Sequence, residues 1–505
     1  MLKISKLNWI FVIHLILFSL IVAGVLPRAI VPYLAIALAI YVLFASLEDA
    51  TVFFVRSIPF FLAIPITATF DNFNTWRILS AIILLRWFVV KYQLFHKQGF
   101  WNFSRSLAYD WRHKQLSLPL LLLILTAILS IIPAPDKILA IKRVFYFLNL
   151  SLIGFVIYDL AQKQEFAKRL IKNIPIPIII VTLVGFGQII STYFIDIYQF
   201  MRLWGEGIQC RQFGEQWCNI AVQLGNTWFA YFGEQLSLRV FSLFPDSHSF
   251  PQFVLLGIPA ILAIVQKKWA RISALSFLFL IIILSGTRGI WAASIGVVLV
   301  AFAIMLWMKK TKTEKEKKNI FKNTISYLIV FFLAFSVAFP IFSSPQFLVG
   351  KSDDILKNRI RSIVDFGETS NAQRIEIWKK TLVSIKEKPL LGVGIGNYPV
   401  VLDQDVRLAK AGSSAHNIYL HIAAEMGIPA LIFTFWFLWI LTQKTYRNFV
   451  ISKNREITIY NSAALIFVPW VLIYSLTDVA LFDERAFLMF TTTISLILAN
   501  PVIQH

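Results

Sequence analysis

From one end of the chain to the other, apolar runs of roughly 17 to 22 residues recur, each long enough to cross about 30 Å of hydrocarbon as a helix. A soluble core cannot absorb that much apolar surface: 58% of the 505 residues are hydrophobic and only 15% are charged. The bilayer is the solvent, and the fold class is an all-α polytopic membrane protein with about 14 transmembrane helices. The spans are expected near residues 8–26, 29–46, 51–70, 77–90, 117–133, 140–159, 174–197, 249–265, 271–285, 289–308, 323–342, 429–443, 459–477 and 484–499. The first follows Lys3 and Lys6 but lacks a small-residue cleavage pattern, so it reads as a retained span rather than a signal peptide. Fifteen tryptophans among many other aromatics suit a lipid interface.

Charge sets the orientation. The stretches Lys91 to Lys114, Lys163 to Lys172, Lys267 to Arg271, Lys309 to Lys322 and Lys444 to Arg455 are basic, whereas intervening turns such as Asp71 to Thr75 and Pro133 to Asp136 are not. Cytoplasmic loops are the ones that hold lysine and arginine, so both termini are expected inside. The formal charge of +21 is then a topology signal, and its short runs beside membrane spans do not make a nucleic-acid surface.

This topology divides the chain into an N-terminal membrane bundle over 1–197, an outer loop over 198–248, central helices over 249–342, a large outer loop over 343–428 and C-terminal helices over 429–505. Any polar site outside must come from the two loops. In the second, Ile375, Trp378, Leu382 and Ile385 recur at helical spacing ahead of Pro389, which predicts an amphipathic helix over 371–388 lying along the membrane surface. A short helix is expected from near Ser414 until Gly427 and Pro429 break it. Cys210 and Cys218 lie in the first loop, with no histidine between Tyr198 and Phe244 to complete a zinc site. A loop-closing disulfide and two free thiols both remain open.

The second loop reads NAQRIEIWKKTLVSIKEKPLLGVGIGNY and then, after a spacer, AHNIYLHIAAEMGIP. Arg374 with tryptophan four residues on, the Pro-Leu-x-Gly-x-Gly-x-Gly-Asn turn and the His416-Asn417-x-Tyr419-Leu helix ending in Glu-x-Gly-Ile resemble the O-antigen ligase and O-antigen polymerase superfamily. Ser285-Gly-Thr-Arg288-Gly resembles that family's Ser-x-x-Arg-Gly element. Arg239 followed by Phe244-Pro245-Asp246 resembles its Arg-x-x-Gly-x-Phe-x-x-Pro-Asn element, with Asp246 in place of the asparagine and Ser242 in place of the glycine. The resemblance covers roughly the second half of the chain. It implies a membrane glycosyltransferase that moves a glycan from an undecaprenyl pyrophosphate carrier to a lipid or glycan acceptor hydroxyl on the outer side of the inner membrane. It implies neither nucleotide sugar, cofactor nor metal.

Such a transfer asks for a base to take the acceptor proton and for fixed cations to receive the charge on the departing pyrophosphate. His416 is the candidate base, because imidazole titrates near working pH and the helix it opens should favour the neutral form. Arg288 and Arg374 are the leading pyrophosphate ligands, with Arg239 third, since guanidinium grips phosphate oxygens through paired donors. Asn417, Tyr419, Lys142 and Arg143 are secondary substrate contacts, and His421 reads as a packed neighbour. Glu425, Asp478, Asp483 and Glu484 are candidates to bind sugar hydroxyls or steady an arginine. Gly392, Gly394 and Gly396 make a tight turn rather than a phosphate loop, since no Lys-Ser or Lys-Thr follows them. Asp403-Gln404-Asp405 has diacid spacing but too few oxygen ligands for a hard cation. Two readings of other classes are a transporter of inorganic carbon or another small solute, for which Arg56 and Arg86 would be the mid-membrane charges, and a non-catalytic scaffold.

Overall fold

Short polar residues start the helices. Ser5, Ser46, Asp136, Asp196, Asn417, Asn454 and Asp483 each accept a hydrogen bond from a backbone N–H in the first turn they precede. The computed structural model describes residues 5–66, 73–92, 117–215, 217–218, 228–232, 235–307, 314–347, 369–406 and 413–499. The N-terminal part holds α1 (Lys6–Val22), α2 (Val31–Phe44), α3 (Leu47–Ser57), α4 (Thr75–Tyr92), α5 (Ser117–Leu129), α6 (Lys137–Leu160), α7 (Gln164–Asn173) and α8 (Pro175–Ser191). Two single turns, α9 (Ile197–Phe200) and α10 (Cys210–Phe213), flank a π-helix over Met201–Gln209. The remainder comprises α11 (Ser249–Ile264), α12 (Lys268–Leu284), α13 (Arg288–Trp307), α14 (Glu314–Ser343), α15 (Thr369–Glu387), α16 (Ile418–Ile451), α17 (Arg455–Tyr474) and α18 (Glu484–Leu498). The only sheet among the described residues is two antiparallel hairpins, β1 (Ala63–Ile64) with β2 (Phe73–Asn74) and β3 (Phe229–Phe232) with β4 (Gln235–Leu238).

A helix stands at each expected span, and among the described residues five are long and apolar enough to cross a membrane: Lys137–Leu160, Gln164–Ser191, Ile320–Ser343, Ile418–Ile451 and Arg455–Tyr474. The α11 helix is buried along nearly its whole length, as a helix apolar on every side must be, and packs on α17, α18, α12 and α8. Peripheral helices instead present Phe44, Phe145, Leu299, Leu333 and Trp439 outward, an apolar perimeter suited to lipid.

The third span departs from expectation. A helix was predicted over 51–70, but α3 ends at Ser57, one 3-10 turn follows, and the chain then runs extended and buried through Phe61, Leu62 and Ala63. Pro59 removes a backbone donor and clashes with the preceding turn, which stops the helix there. The carbonyls released from the helical ladder find other donors: Arg485 Nη2 at 3.1 Å for Phe61, Thr75 Oγ1 at 2.9 Å for Leu62 and Arg28 Nη2 at 3.2 Å for Ala63. Residues 67–70 of that expected span lie outside the described residues.

The two ends of the bundle differ in charge. At one end Gln266, between α11 and α12, accepts from Arg455 at the start of α17, Lys172 pairs with Glu456 at 3.3 Å, and Lys91 pairs with Asp159 at 2.8 Å. Arg56 and Arg86, the mid-membrane candidates, are tied into the fold: Arg56 donates to Asn173 at 2.6 Å and Asn8 at 2.7 Å, and Arg86 to the carbonyls of Val42 and Ala45. At the other end lie the N-termini of α11, α13, α16 and α18 and the C-terminus of α17.

Over this second end folds α15, as predicted for 371–388. It packs through Ile377, Thr381 and Ile385, whereas Leu382, expected on the packed face, is 55% exposed beside Val383. The short helix expected from Ser414 begins at Ile418, and Gly427 (φ 85°) separates it from the long apolar part of α16. The glycine turn holds that break in place: Val393 and Gly394 donate to the carbonyls of Ala424 and Glu425, and Ile428 donates to Pro389. A Cβ at Gly427 would lie 2.2 Å from the Leu390 carbonyl oxygen. Gly427→Ala should therefore cost about 1–3 kcal/mol through the left-handed backbone and the clash, read as a lower thermal midpoint in detergent; an unchanged midpoint would show that the break is not needed.

Candidate active site

Three local structures bring the candidate residues together. In the first, the Arg239 segment is led across the top of α12 by backbone bonds, Arg239 N–H to the Trp228 carbonyl at 2.8 Å and Val240 N–H to the Leu284 carbonyl at 3.1 Å. Ser242 then turns the chain with φ 53°, a left-handed value, where the family pattern has glycine. The turn is secured by Gln188, whose Oε1 accepts from Ser242 N–H at 2.7 Å, and by the Ser242 hydroxyl donating to the Val181 carbonyl at 2.6 Å. Asp246, where the pattern has asparagine, accepts from the N–H groups of His248 and Ser249 and from the Ser249 hydroxyl. An asparagine side-chain oxygen would accept the same bonds, so both departures preserve the local geometry.

In the second, Ser285-Gly286-Thr287 joins α12 to α13 so that Arg288 opens α13. Gly286 (φ 64°) lies under the Arg239 side chain, a Cβ there falling 3.1 Å from Arg239 Cγ. Thr287 donates to the Ser247 carbonyl at 2.8 Å, which ties this turn to the Asp246 turn. Arg288 thus stands at the positive dipole end of a long helix, which favours an anion. Gly289 allows α13 to close on α17, since a Cβ there would fall 2.3 Å from Thr477 Oγ1.

In the third, Trp378 of α15 donates its indole N–H to the Ala415 carbonyl at 2.8 Å, and Ile418 N–H donates to the Ser475 carbonyl at 2.8 Å. These two bonds clamp His416 between the amphipathic helix and the end of α17, with Arg374 one helical turn before Trp378. His416 itself has φ 46°, a strained conformation for a residue with a side chain, and its N–H donates to Ser414 Oγ at 3.3 Å.

These turns meet around Asp478 and His248. The His248 ring lies 3.0 Å from an Asp478 carboxylate oxygen, 2.9 Å from the Tyr474 hydroxyl and, through Nε2, 3.0 Å from Arg239 Nη2. Burial pushes the His416 imidazole below its ordinary value, Arg374, His248 and His421 push it the same way, and Asp478 opposes them. The helix end was expected to favour the neutral imidazole; the direction is the same, but burial is the larger cause. Burial brings the Arg239 guanidinium down to about 10, with Arg288 adding to that and Tyr474, Asp478 and Asp246 opposing it, so it stays charged at neutral pH. Burial alone would raise the Asp478 carboxyl, but His248, His416 and Arg374 hold it below the usual carboxylate range. The four expected residues, His416, Arg239, Arg288 and Arg374, therefore stand in one electrostatic neighbourhood at the end of the bundle opposite the basic loops.

The secondary candidates have other duties. Asn417 accepts from the N–H groups of Tyr419 and Leu420 as a helix cap, and Tyr419 donates its hydroxyl to the Leu472 carbonyl at 2.9 Å while stacking on Phe435, contacts that fix the start of the helix beside His416. Lys142 is exposed, and Arg143 lies over the rings of Tyr146 and Phe147. His421 is a packed neighbour, stacked on Tyr398 and 3.4 Å from Glu425. Asp403, of the diacid spacing, pairs with Lys380 at 2.7 Å. Cys210 and Cys218 form a disulfide.

Sequence reasoning did not find His248 or Tyr474, and it left the role of Asp478 open. The signal for His248 was its place at the mouth of a span, two residues after Asp246, on the side poor in basic residues. Tyr474 carries no local signal, because it differs from other interfacial tyrosines only in what it meets.

Residues 273–435 match the family model described as O-antigen ligase. No curated protein matches the chain. The match takes in Arg288, Arg374 and His416 and ends before Tyr474 and Asp478, while Arg239 and His248 precede it. It supports, at a general level, a glycosyltransferase-like enzyme of the O-antigen ligase or polymerase type working on lipid-linked glycans among membrane lipids.

Because the Asp478 carboxylate opposes burial by raising the His416 pKa, Asp478→Asn should lower it further. Carbon-13 histidine spectra across a pH titration would read this, and an upward shift would contradict the arrangement.

Proposed function

We propose that the chain is a glycosyltransferase of bacterial surface-polysaccharide assembly, embedded in the inner membrane with both termini in the cytoplasm and its site on the outer face. It takes a glycan from undecaprenyl pyrophosphate and joins it to an acceptor hydroxyl. The observation that carries this reading is the convergence of one histidine and three arginines at the end of the bundle away from the basic loops.

The chemistry follows from the charges. The acceptor oxygen attacks the anomeric carbon, His416 takes its proton, and the bond from that carbon to the phosphate oxygen breaks with its electron pair on the pyrophosphate. Attack opposite the leaving group inverts the anomeric centre. Arg288, at a helix N-terminus, with Arg239 and Arg374 nearby, supplies fixed positive charge where negative charge grows, without a metal. The pair of His248 with Asp478 keeps a carboxylate beside the site, so that a protonated His416 has a counter-charge after the transfer. A depressed pKa keeps His416 neutral, and so able to accept, to lower pH than an ordinary histidine.

With purified protein and a lipid-linked glycan, His416→Ala should reduce transfer roughly 10²- to 10⁴-fold without changing the melting midpoint. Arg288→Lys should lose roughly 10²-fold, because a point charge does not reproduce the fork. The acid limb of kcat/KM should lie below the ordinary histidine value of about 6.5. Full activity in His416→Ala, or an acid limb above neutrality, would remove the base assignment. A product ladder would identify a polymerase and a single added chain a ligase.

A further inference from the structure

His248, at the mouth of α11, meets three other segments through its two ring nitrogens. Nδ1 lies 2.9 Å from the Tyr474 hydroxyl and 3.0 Å from an Asp478 carboxylate oxygen, and Nε2 lies 3.0 Å from Arg239 Nη2. These partners dictate where the ring carries its proton. A guanidinium can only donate, so Nε2 must present its lone pair. Asp478 is held below the usual carboxylate range and, once ionised, can only accept, so Nδ1 must carry the hydrogen. A hydroxyl gives or takes, and Tyr474 follows the form that the other two impose. A proton on both nitrogens would set an N–H of the ring against an N–H of Arg239 at 3.0 Å. The consistent form is a neutral imidazole.

What this does for Arg239 follows from its surroundings. The Arg239 side chain lies across Gly286, in the turn that leads to Arg288, where a Cβ would fall 3.1 Å from Arg239 Cγ. Arg288 acts on it as a like charge. A guanidinium kept beside another guanidinium needs an anchor. A carboxylate in direct contact would anchor it and cancel the charge that an anionic ligand has to meet, whereas an imidazole lone pair anchors it and cancels nothing. Asp478 stands behind the ring instead, where it fixes the proton on Nδ1 and leaves Nε2 to Arg239.

The arrangement keeps surface for a ligand. Arg239, His248, Arg288, Arg374 and His416 are each only partly buried. Asp246, the acid closest to His248 in the chain, is engaged by the N–H groups of His248 and Ser249 and by the Ser249 hydroxyl.

We propose that His248 is a positioning residue for the transfer: as a neutral imidazole protonated on Nδ1, it accepts at Nε2 from Arg239 and holds that guanidinium, fully charged, beside Arg288 for the pyrophosphate of the donor. It touches no reacting atom and acts through Arg239. Its part in catalysis rests on the transferase reading, whereas the tautomer and the hold on Arg239 do not.

Two measurements without turnover test the hold. In protein labelled with nitrogen-15 histidine, in nanodiscs at neutral pH, the ring signals lost in His248→Gln should show a hydrogen on Nδ1 and a bare Nε2. A hydrogen on Nε2 overturns the proposal. Inorganic pyrophosphate is then titrated by calorimetry. In His248→Asn the amide stands where Nδ1 stood, keeping Asp478 and losing Arg239, and binding should weaken roughly tenfold; in His248→Gln the amide reaches Arg239, and binding should stay within roughly threefold of wild type. Once Arg239→Gln is in place, His248→Asn should cost no more than about a further twofold, whereas in Arg288→Gln it should still cost roughly tenfold. Equal losses in both backgrounds, or His248→Gln as weak as His248→Asn, leave His248 a structural role only and overturn the proposal, as does wild-type protein that binds no pyrophosphate. Wild-type protein that shows the tautomer and binds pyrophosphate but transfers no glycan overturns the transferase reading instead, and the hold on Arg239 stands.

Discussion

An apolar bundle can keep a carboxylate inside its end only if neighbours compensate it, and here His248 and Arg374 do so for Asp478. A carboxylate buried alone among helix ends would take up a proton. With His248 at 3.0 Å, and His416 and Arg374 acting on it, Asp478 stays ionised and becomes the negative centre around which the cations gather. The pair is also mechanical, because it joins the start of α11, the central buried helix, to the turn after α17. Removing His248 would leave the buried Asp478 carboxylate without its nearest partner, at a cost of roughly 1–3 kcal/mol or more.

Around that centre the backbone does most of the positioning. Arg239, Arg288, Arg374 and His416 come from four separate segments. Each is fixed by bonds that involve no charge: a glutamine bracing a left-handed serine, a threonine on a carbonyl, an indole on a carbonyl and one N–H to the end of α17. The backbone of each segment is thereby held without drawing on the guanidiniums or the imidazole. In the transfer we propose, charge stabilisation preorganised in this way would need no reorganisation when a pyrophosphate departs.

The amphipathic helix α15 has a second consequence. Its inner side carries the Trp378 and Thr381 contacts, while Leu382 and Val383 look outward beside its charged residues. Such a helix rests on an interface rather than in solution. It would keep Arg374 at the depth of lipid headgroups, where a carrier pyrophosphate lies.

The sequence by itself determined the class, the helix positions apart from the third span, the glycine break at 427 and four candidate residues that the fold brings into one neighbourhood, because hydropathic period, proline and glycine act locally. Fourteen apolar runs can be counted without knowing which neighbours they have. Motif spacing likewise singled out His416, Arg239, Arg288 and Arg374, and the positive φ at Ser242 shows why a changed motif residue still fits. Only the tertiary structure decided the rest. The break after Pro59 depends on Arg28, Thr75 and Arg485 reaching carbonyls from distant segments, the disulfide on two ends of a loop meeting, and the contacts of His248 with Arg239, Tyr474 and Asp478 on groups contributed by other segments. Those are pairings between residues far apart in the chain, and no local pattern encodes a partner.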